Sequence, residues 1–403
     1  MRERLKAAEE RVYELLEPGR EYDDAQLERL ILQTILEDRQ MQTIDERTLC
    51  QKAVFNDIRR LGILQPLMDD PQVTEIMING KDHIFYEKDG RIYAFNQCFE
   101  SEERLEALAQ RIAGLSNRTV NASSPIVDTR LSDGSRVNIC LAPAAVAGPI
   151  ITIRKFYRTP MTLERLIRMQ SISREAAAFL VDAVRAKYNI FISGGTGSGK
   201  TTFLNALSKH IPEEERVITI EDSCELQLEN VPNLVKLEAH PANMEEKGEV
   251  TIRDLIRASL RMRPDRIVVG EVRDAAAIDM ITALNTGHDG GLSTGHANSP
   301  PDMLLRLETM VMMGLDIPLP AIRQQIASAL DLIVHLGRLR DKSRRVLEID
   351  QVSGVVDGKI LLVPLFTFRE EGEDEQEVKG CLIRTEAPFT DVAKMHAAGI
   401  WTY

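Results

Sequence analysis

The 403-residue sequence lacks any run approaching the ~20 apolar residues that a membrane-spanning helix needs, and its N-terminus is charged from residue 2. We therefore expect any membrane role of this protein to be peripheral. Basic residues are also in deficit, because 50 Lys and Arg face 62 Asp and Glu, for a net charge of −12. This balance argues against broad nucleic-acid binding, which needs clustered Lys and Arg on one face, and leaves only a local basic site open.

Cysteine is scarce as well. The five cysteines are an odd number, widely scattered and without any C-x-x-C pair. This pattern predicts reduced thiols in a cytosolic protein rather than a disulfide framework. What the sequence does contain is enough apolar material, 43% of residues, for two or three globular domains.

The most informative stretch is NIFISGGTGSGKTTFLNALSKH, residues 189–210, which is typical of a buried strand, a glycine-rich turn and a helix start. It fits the pattern G-x-x-x-x-G-K-[ST], in which backbone N–H groups surround nucleotide phosphates, the lysine reaches the β/γ oxygens and the Thr hydroxyl ligates Mg²⁺. Glycines let the main chain approach the phosphates, and the helix start directs unpaired N–H groups at the anion. The alternative is a flexible Gly/Ser loop. The predicted nucleotide-binding residues are Gly194, Gly195, Thr196, Gly197, Ser198, Gly199, Lys200, Thr201 and Thr202.

The remaining chain divides by pattern into five regions. Residues 1–60 are predicted to be helical, either as an interaction surface or as an extension packed on the next domain. Residues 61–156 show short strands with polar turns and one helix, typical of an α+β domain, and residues 157–161 are the predicted linker. In residues 162–338 helices alternate with apolar strands, which indicates a parallel sheet covered on both faces. Residues 339–403 are predicted to form a hairpin, turning at Asp357 and Gly358, and a tail packed on this α/β core.

A phosphate-binding loop only binds, whereas hydrolysis also needs a carboxylate near Mg²⁺ and the attacking water. Two predicted strands end in such a group. The apolar strand at residues 267–270 runs into Glu271, which we interpret as functional rather than as a cap or a surface ion pair. The strand at residues 217–220 ends in Glu221 and Asp222, where capping by Asp222 and Ser223 is a stronger alternative.

Two histidines lie in the glycine-rich segment GHDGGLSTGHAN, residues 287–298, whose apolar content is too low to predict a core strand. His288 and His296 could join a carboxylate around zinc, but no third ligand stands at a recognisable spacing. We therefore expect no zinc and favour a phosphate sensor or an inter-subunit contact.

Arginines supply the cations that a phosphoryl-transfer transition state requires, often from another domain or subunit. Arg253, Arg257 and Arg261 recur every fourth residue on one helix face, for which a solvent-exposed row is the default interpretation. Arg136 and Arg154, at strand positions of the preceding domain, are further candidates for this cation.

At this point the chain resembles the type II/type IV secretion ATPase superfamily and, within it, the CpaF-like branch that powers assembly of tight-adherence (Tad/Flp) pili. The resemblance covers most of the chain. In the core it lies in GGTGSGKT as the Walker A motif, ITIEDSCELQL as the aspartate box, MRPDRIVVGEVRD as the Walker B region and TGHDGGLSTGHANSP as the histidine box. In the N-terminal half it lies in SSPIVDTRLSDGSRVNI and ITIRKF.

The resemblance implies a RecA-like P-loop ATPase core behind a PAS-like N-terminal domain, assembled as a homo-hexameric ring with ATP and Mg²⁺ between the two domains. It also implies docking on inner-membrane platform proteins of a pilus or secretion machine. By motif, Lys200 and Thr201 hold phosphate and Mg²⁺, and Glu271 matches the Walker B acid. The Walker B position is Glu rather than the Asp of many P-loop enzymes, which favours a water-mediated contact with Mg²⁺.

The remaining residues carried over by motif are Glu221 for the aspartate-box acid, His296 for the histidine-box residue near the γ-phosphate, and Arg136 and Arg154 for the N-terminal arginines that contact phosphates when the ring closes. Which of Glu221 and Glu271 takes the proton is left open. The four-cysteine zinc module of the general-secretion branch is absent from the sequence, which favours the pilus or type IV secretion branches. Alternatives from other classes are a nucleic-acid-translocating RecA-like ATPase, against which the acidic balance argues, and a nucleotide-gated scaffold without hydrolysis.

Overall fold

The structure is a computed structural model, and it describes residues 2–17, 19–20, 22–37, 43–88, 90–156, 161–240, 248–372 and 378–402. The chain divides into two compact units, residues 1–158 and residues 159–403. Residues 157–160 of the predicted linker lie outside the described residues. Among the described residues, no helix is both long enough and apolar enough to cross a bilayer.

The first unit contains two separate hydrophobic clusters. Three N-terminal helices pack on each other through residues such as Val12, Ile31 and Val54, whereas the sheet and the helix that follows it pack through Ile76, Ile112 and Ile151. The helices are α1 (Arg2–Leu15), α2 (Asp24–Glu37), α3 (Ile44–Arg59), α4 (Gln65–Asp69) and α5 (Glu102–Leu115), with a 3₁₀ turn at Gly62–Leu64. The strands are β1 (Val73–Asn79), β2 (Ile84–Lys88), β3 (Arg91–Ala94), β4 (Ile126–Arg130), β5 (Arg136–Cys140) and β6 (Ile150–Arg154).

The six strands of this unit form one antiparallel sheet in the order β3-β2-β1-β6-β5-β4. Side chains alternate across it, so that Ile151 and Ile153 of β6 are buried while Arg154 at its end is exposed. The register pairs Arg154 directly with Arg136 of β5. The α+β character predicted for residues 61–156 is therefore confirmed.

In the second unit helices and strands alternate as far as the strand Leu332–Arg338, and three further strands follow it in succession. Its helices are α6 (Leu163–Arg168), α7 (Arg174–Arg185), α8 (Lys200–Ser208), α9 (Ile252–Ser259), α10 (Ala276–Asn285), α11 (Pro300–Gly314), α12 (Leu319–Ala329) and α13 (Ala393–Ala397). Its strands are β7 (Ile190–Gly194), β8 (Val217–Glu221), β9 (Leu234–Glu238), β10 (Arg266–Val269), β11 (Leu292–His296), β12 (Leu332–Arg338), β13 (Arg344–Val356), β14 (Lys359–Glu370) and β15 (Gly380–Arg384).

These strands form a nine-stranded sheet in the order β15-β14-β13-β12-β7-β11-β10-β8-β9. The six strands from β12 to β9 are parallel neighbours, and β13, β14 and β15 add antiparallel to the β12 edge. All residues of β7 are buried, because Ile190 and Ile192 face one hydrophobic cluster and Phe191 faces the other. Burial on both faces is what a parallel sheet covered by helices requires.

One prediction about this sheet is wrong. Residues 292–296 were expected to be too poor in apolar residues for a core strand, yet they form β11 in the middle of the sheet, paired with β7 and β10. The small residues are what the packing needs. A Cβ on Gly295 would lie 2.9 Å from Met303 Sδ and 2.9 Å from Phe191 Cε1, so only glycine lets the neighbouring helix and strand come this close.

Local turn and capping signals are confirmed where they were predicted. The Ser299 side chain accepts a hydrogen bond from Asp302 N at the start of α11, with Pro300 as the first helical residue. The β13–β14 hairpin turns at Asp357 and Gly358, both with positive φ. The finer boundaries predicted at residues 60 and 338 stay predictions.

Candidate functional site

The glycine-rich segment connects the carboxyl end of β7 to α8, in the centre of the parallel sheet. Gly199 caps α8 with φ of 94°, a left-handed conformation that favours glycine, and provides no side-chain hydrogen bond to the first helical amides. Gly194 leaves no room for a side chain, because a Cβ there would lie 2.4 Å from Leu336 O. The loop therefore presents the backbone amides of a helix start at the edge of the sheet, an arrangement that suits a phosphate group.

Lys200 lies inside this loop and is 7% exposed. Its Nζ donates hydrogen bonds of 3.0 Å each to Gly194 O and Gly195 O. The same atom lies 3.2 Å from Nδ1 of His296, the last residue of β11. Because an ammonium group only donates, His296 Nδ1 must be the unprotonated, accepting nitrogen of the ring.

Glu271, the second residue after β10, is the third member of this group with Lys200 and His296. Its Oε1 lies 3.0 Å from His296 Nε2, and its Oε2 accepts a 2.8 Å hydrogen bond from the Arg273 guanidinium. Burial opposes ionisation of Glu271, but Arg273, His296 and Lys200 together lower the pKa of its carboxyl. Glu271 is therefore an ionised acid beside the His296 ring, and its Oε1 forms no hydrogen bond with the described residues.

The imidazole of His296 is neutral at pH 7, because burial and the neighbouring Lys200 ammonium lower its pKa. With Nδ1 facing the ammonium, the proton lies on Nε2, which faces the Glu271 carboxylate. The structure thus brings Lys200, His296 and Glu271 into one chain of contacts. Glu271 and His296 follow Lys200 by 71 and 96 positions in the sequence, and the three meet because β7, β11 and β10 are parallel neighbours.

Glu221 lies at the end of β8 and is 3% exposed. Its Oε2 accepts hydrogen bonds from Glu225 N at 2.8 Å and Leu226 N at 3.0 Å, so the side chain closes the loop after β8. Burial raises the pKa of this carboxyl to about 7, although the two amides oppose the rise. The side chain also packs against Gly270, where a Cβ would lie 2.8 Å from Glu221 Cγ. Glu221 is therefore a near neighbour of the strand that carries Glu271.

The other sequence candidates fall in different places. Arg136 and Arg154 are cross-strand partners in the first unit. Arg253 and Arg257 both bind the Asp279 carboxylate of α10, at 2.5 and 2.8 Å, so they join two helices. The five cysteines, all of them described, form no disulfide.

Metal ligation by the histidines has no support in the geometry. His288 precedes β11 and His296 ends it, so the two lie at opposite ends of one strand. Within the described ranges, no group of three His, Cys, Asp or Glu side chains could hold a metal ion.

Three functional candidates were missed by sequence reasoning. Arg273 follows Glu271 by two residues and binds it, and it also lies 3.7 Å from Asp222. Arg306 of α11 lines an open cleft of about 440 Å³ together with Thr196, Glu271, Val272, Arg273 and His296. His335 of β12 lies 2.9 Å from Ser193 Oγ, directly before the phosphate loop. Arg273 could have been found from its position in GEVRD, whereas the other two have no local sequence signal.

Fold and site together define an α/β P-loop protein with a RecA-like core and a preceding α+β unit. The family model described as "Type II/IV secretion system protein" matches residues 58–384, and the chain belongs to this family. The expected superfamily is thereby confirmed.

Individual relatives agree with this assignment. A protein of Mycobacterium tuberculosis strain H37Rv, named for conjugal transfer, is 35% identical over 342 residues, which cover 83% of this chain and 96% of the relative. The type IV secretion system protein VirB11 of Brucella suis is 35% identical over 301 residues, covering 68% and 83%. The crystal structure of the ATPase DotB from Legionella pneumophila is 25% identical, covers 70% of this chain and 77% of its own, and has a TM-score of 0.52.

Proposed function

We propose that this protein is a Mg²⁺-dependent ATPase that works as a homo-hexameric motor on an inner-membrane platform and powers assembly of a Tad/Flp-type pilus. The observation that carries the ATPase proposal is the contact chain from Lys200 through His296 to Glu271 beside a glycine-rich helix start. It combines a phosphate-binding cation, a neutral hydrogen-bonding ring and an ionised acid. These are the groups that in-line phosphoryl transfer to water requires.

The residues present suit a nucleotide and its metal ion. The amides at the start of α8 have no side-chain cap, and the Ser198 hydroxyl is buried without a partner among the described residues. Gly194 to Thr202 would hold the phosphates, and Thr201, with Glu271 through a water, would hold Mg²⁺. The metal ion supplies positive charge that neutralises the β- and γ-phosphate oxygens.

The chain's own groups then divide the work. Lys200 exchanges its contacts with Gly194 O and Gly195 O for phosphate oxygens, and His296 donates from Nε2 towards Glu271 or the γ-phosphate. Glu271 orients the attacking water and accepts its proton, because it is ionised and its carboxylate borders the open cleft. Glu221 has a pKa suited to a base, but two backbone amides occupy one of its oxygens, so it supports the strand end beside Glu271.

Arg136 and Arg154 are cross-strand neighbours in the first unit's sheet, where β5 begins and β6 ends. We assign them to charge stabilisation on the transferring phosphoryl group when the ring closes. An arginine in this role typically contributes ~10³ to 10⁵ in rate.

The experiment is phosphate release per subunit, measured with Mg²⁺ and ATP over a range of protein concentrations. A steep rise of the specific rate with concentration is expected, because the ring assembles from subunits. A measurable rate that does not change with concentration, from protein that sedimentation shows to be monomeric, contradicts the ring, and no Mg²⁺-dependent phosphate release at any concentration contradicts the ATPase.

A second candidate, the ATPase of a type IV secretion system, is favoured by the 35% identity to VirB11 of Brucella suis. The two candidates differ in what the motor drives. In the source organism, replacement of the chain by its Glu271→Gln variant should remove surface pili under the first proposal. Loss of substrate transfer with pili retained would instead support the second.

A further inference from the structure

The cleft beside the phosphate loop continues past the loop itself. It is lined by Thr196, Glu271, Val272, Arg273, His296 and Arg306. Thr196 is its one lining residue from the nine-residue loop, and Lys200 does not line it. A group bound in this cleft would therefore lie at the rim of the loop, on the side of His296 and Glu271.

The cleft is lined by two arginines, of which, among the described residues, one is paired with carboxylates and the other is not. Arg273 is neutralised, since it binds Glu271 at 2.8 Å and lies 3.7 Å from Asp222. Arg306 is exposed and forms no hydrogen bond or ion pair with any residue that the structure describes. Asp302, one helical turn earlier, is not within ion-pair distance of it. The guanidinium of Arg306 therefore has its five N–H donors available for a ligand.

The helix that carries Arg306 directs it towards the reacting groups. α11 is anchored by buried Met303, Leu307 and Met310, which fix its rotation. Side chains on a helix tilt towards its N-terminus, and the first residue of α11 follows His296 by four positions. The charge of Arg306 reaches this histidine, because it is one of the groups that lower the pKa of His296.

The geometry points to Arg306 as the residue that holds inorganic phosphate after the γ-phosphoryl group has been cut from ADP. This inference rests on the proposed ATPase activity. In that step the water oxygen bonds to the γ-phosphorus, the bond from that phosphorus to the β,γ-bridging oxygen breaks, and its electron pair stays on ADP. The water proton goes to the Glu271 carboxylate. The phosphate anion then has one uncommitted cation in the cleft beyond the loop, and a guanidinium fork matches two of its oxygens.

This position separates Arg306 from the residues that bind ATP. Lys200 lies within the loop, held by two loop carbonyls, whereas Arg306 lies across the cleft on another helix. Loss of Arg306 should therefore weaken the binding of free phosphate and leave the binding of ADP intact. A residue that contacts the γ-phosphate of bound ATP would instead change the KM for ATP by a similar factor.

The test compares Arg306→Gln and Arg306→Lys with Arg185→Gln, an exposed arginine of α7 outside the cleft lining. Binding of inorganic phosphate to the full-length ADP-loaded protein is measured by calorimetry, and inhibition of ATP turnover by added phosphate is measured in parallel. Arg306→Gln should raise both phosphate constants about tenfold, the loss expected for a charge-assisted pair. The phosphate constants of Arg306→Lys should lie between those of the wild type and Arg306→Gln, because an ammonium keeps the charge but cannot donate two parallel hydrogen bonds. The Kd for ADP, the KM for ATP and the Arg185→Gln protein should stay within about twofold of wild type.

Three results would overturn the assignment: phosphate constants unchanged in Arg306→Gln, a KM for ATP that rises by the same factor as the phosphate constant, or no phosphate binding by the ADP-loaded wild type. If the wild type hydrolyses no ATP, the proposed function fails, but the calorimetric comparison still decides whether Arg306 binds phosphate. The unfolding temperature of each variant is measured as well. If Arg306→Gln does not fold, the phosphate constants of Arg306→Lys decide whether Arg306 binds phosphate.

Discussion

The two ends of the parallel sheet differ in how their charged and polar side chains are paired. At the amino ends, Arg266 is fully buried and donates four hydrogen bonds, to both oxygens of Glu215 and to the carbonyls of Gly290 and Val184. Nearby, Lys394 of α13 binds Asp331 at 2.7 Å, and Asp331 accepts from Asn189 N. Both of these cations have partners from distant parts of the chain.

At the carboxyl ends, several buried atoms have no hydrogen-bond partner among the described residues. They include Ser198 Oγ of the phosphate loop and Glu221 Oε1. The ion pair between Glu271 and Arg273, and the contact of Glu271 with the neutral His296 ring, border an open cleft rather than a closed core. The comparison teaches that the amino ends maintain the fold and the carboxyl ends are reserved for a ligand, so variants at the two ends should fail in different assays.

The largest effect is expected at the carboxyl end. Glu271→Gln keeps the size of the side chain and removes the group that accepts the proton, so ATP turnover should fall by about 10²- to 10⁴-fold. The free energy of unfolding should change by less than about 1 kcal/mol, because the site is partly open. Phosphate release and urea unfolding measure the two quantities, with Glu175→Gln, an exposed acid of α7, as the matched control. Wild-type turnover in the Glu271→Gln protein would remove Glu271 from the mechanism.

The opposite pattern is expected at the amino end. Arg266→Met leaves the Glu215 carboxylate buried without its main partner, which should lower the free energy of unfolding by about 3–5 kcal/mol. Turnover per folded molecule should stay within a few-fold of wild type. The exposed Arg185→Met substitution is the control and should change stability by less than about 0.5 kcal/mol. A stable Arg266→Met protein with impaired turnover would reverse the distinction between the two ends.

A smaller effect concerns pH. Burial raises the pKa of Glu221 to about 7, above its ordinary value of 4.5, so the folded protein binds this proton more tightly than the unfolded chain. The corresponding stabilisation is complete below pH 4.5 and is lost as the pH rises towards 7. The free energy of unfolding of the wild type, relative to Glu221→Gln, should therefore fall by about 1–3 kcal/mol across this window. Asp57 and Asp350, whose pKa values are also raised, occur in both proteins and cancel. If the free energy of unfolding of the wild type, relative to Glu221→Gln, rose with pH instead, the burial of this carboxyl would be contradicted.

The parts of the molecule that depend on local pattern could be predicted from the sequence. Ser299 and Pro300 start a helix, and the loop of Lys200 connects a strand to a helix, because backbone sterics and capping act over a few residues. β11 could not be recognised, since its small residues are explained only by the close approach of Met303 and Phe191.

Long-range contacts in the site were equally hidden from the sequence. His335 and Ser193 are 142 residues apart in the chain and meet only because β12 and β7 are neighbours in the sheet. Nothing in the local sequence distinguishes Arg306 from other helical arginines, and only the structure shows that it lines the cleft. The site residues within sequence motifs could therefore be predicted, whereas those that meet only through the order of strands in the sheet could not.

The resting position of Lys200 has a consequence for the heat and the affinity of nucleotide binding. Its ammonium has already lost most of its water, since it is 7% exposed and bound to two carbonyl oxygens. Dehydration of this charge therefore occurs when the chain folds, and the arriving phosphate exchanges one set of oxygen acceptors for another. The lysine should add little to the enthalpy of ground-state binding, and its benefit should grow as negative charge accumulates on the phosphoryl oxygens during transfer.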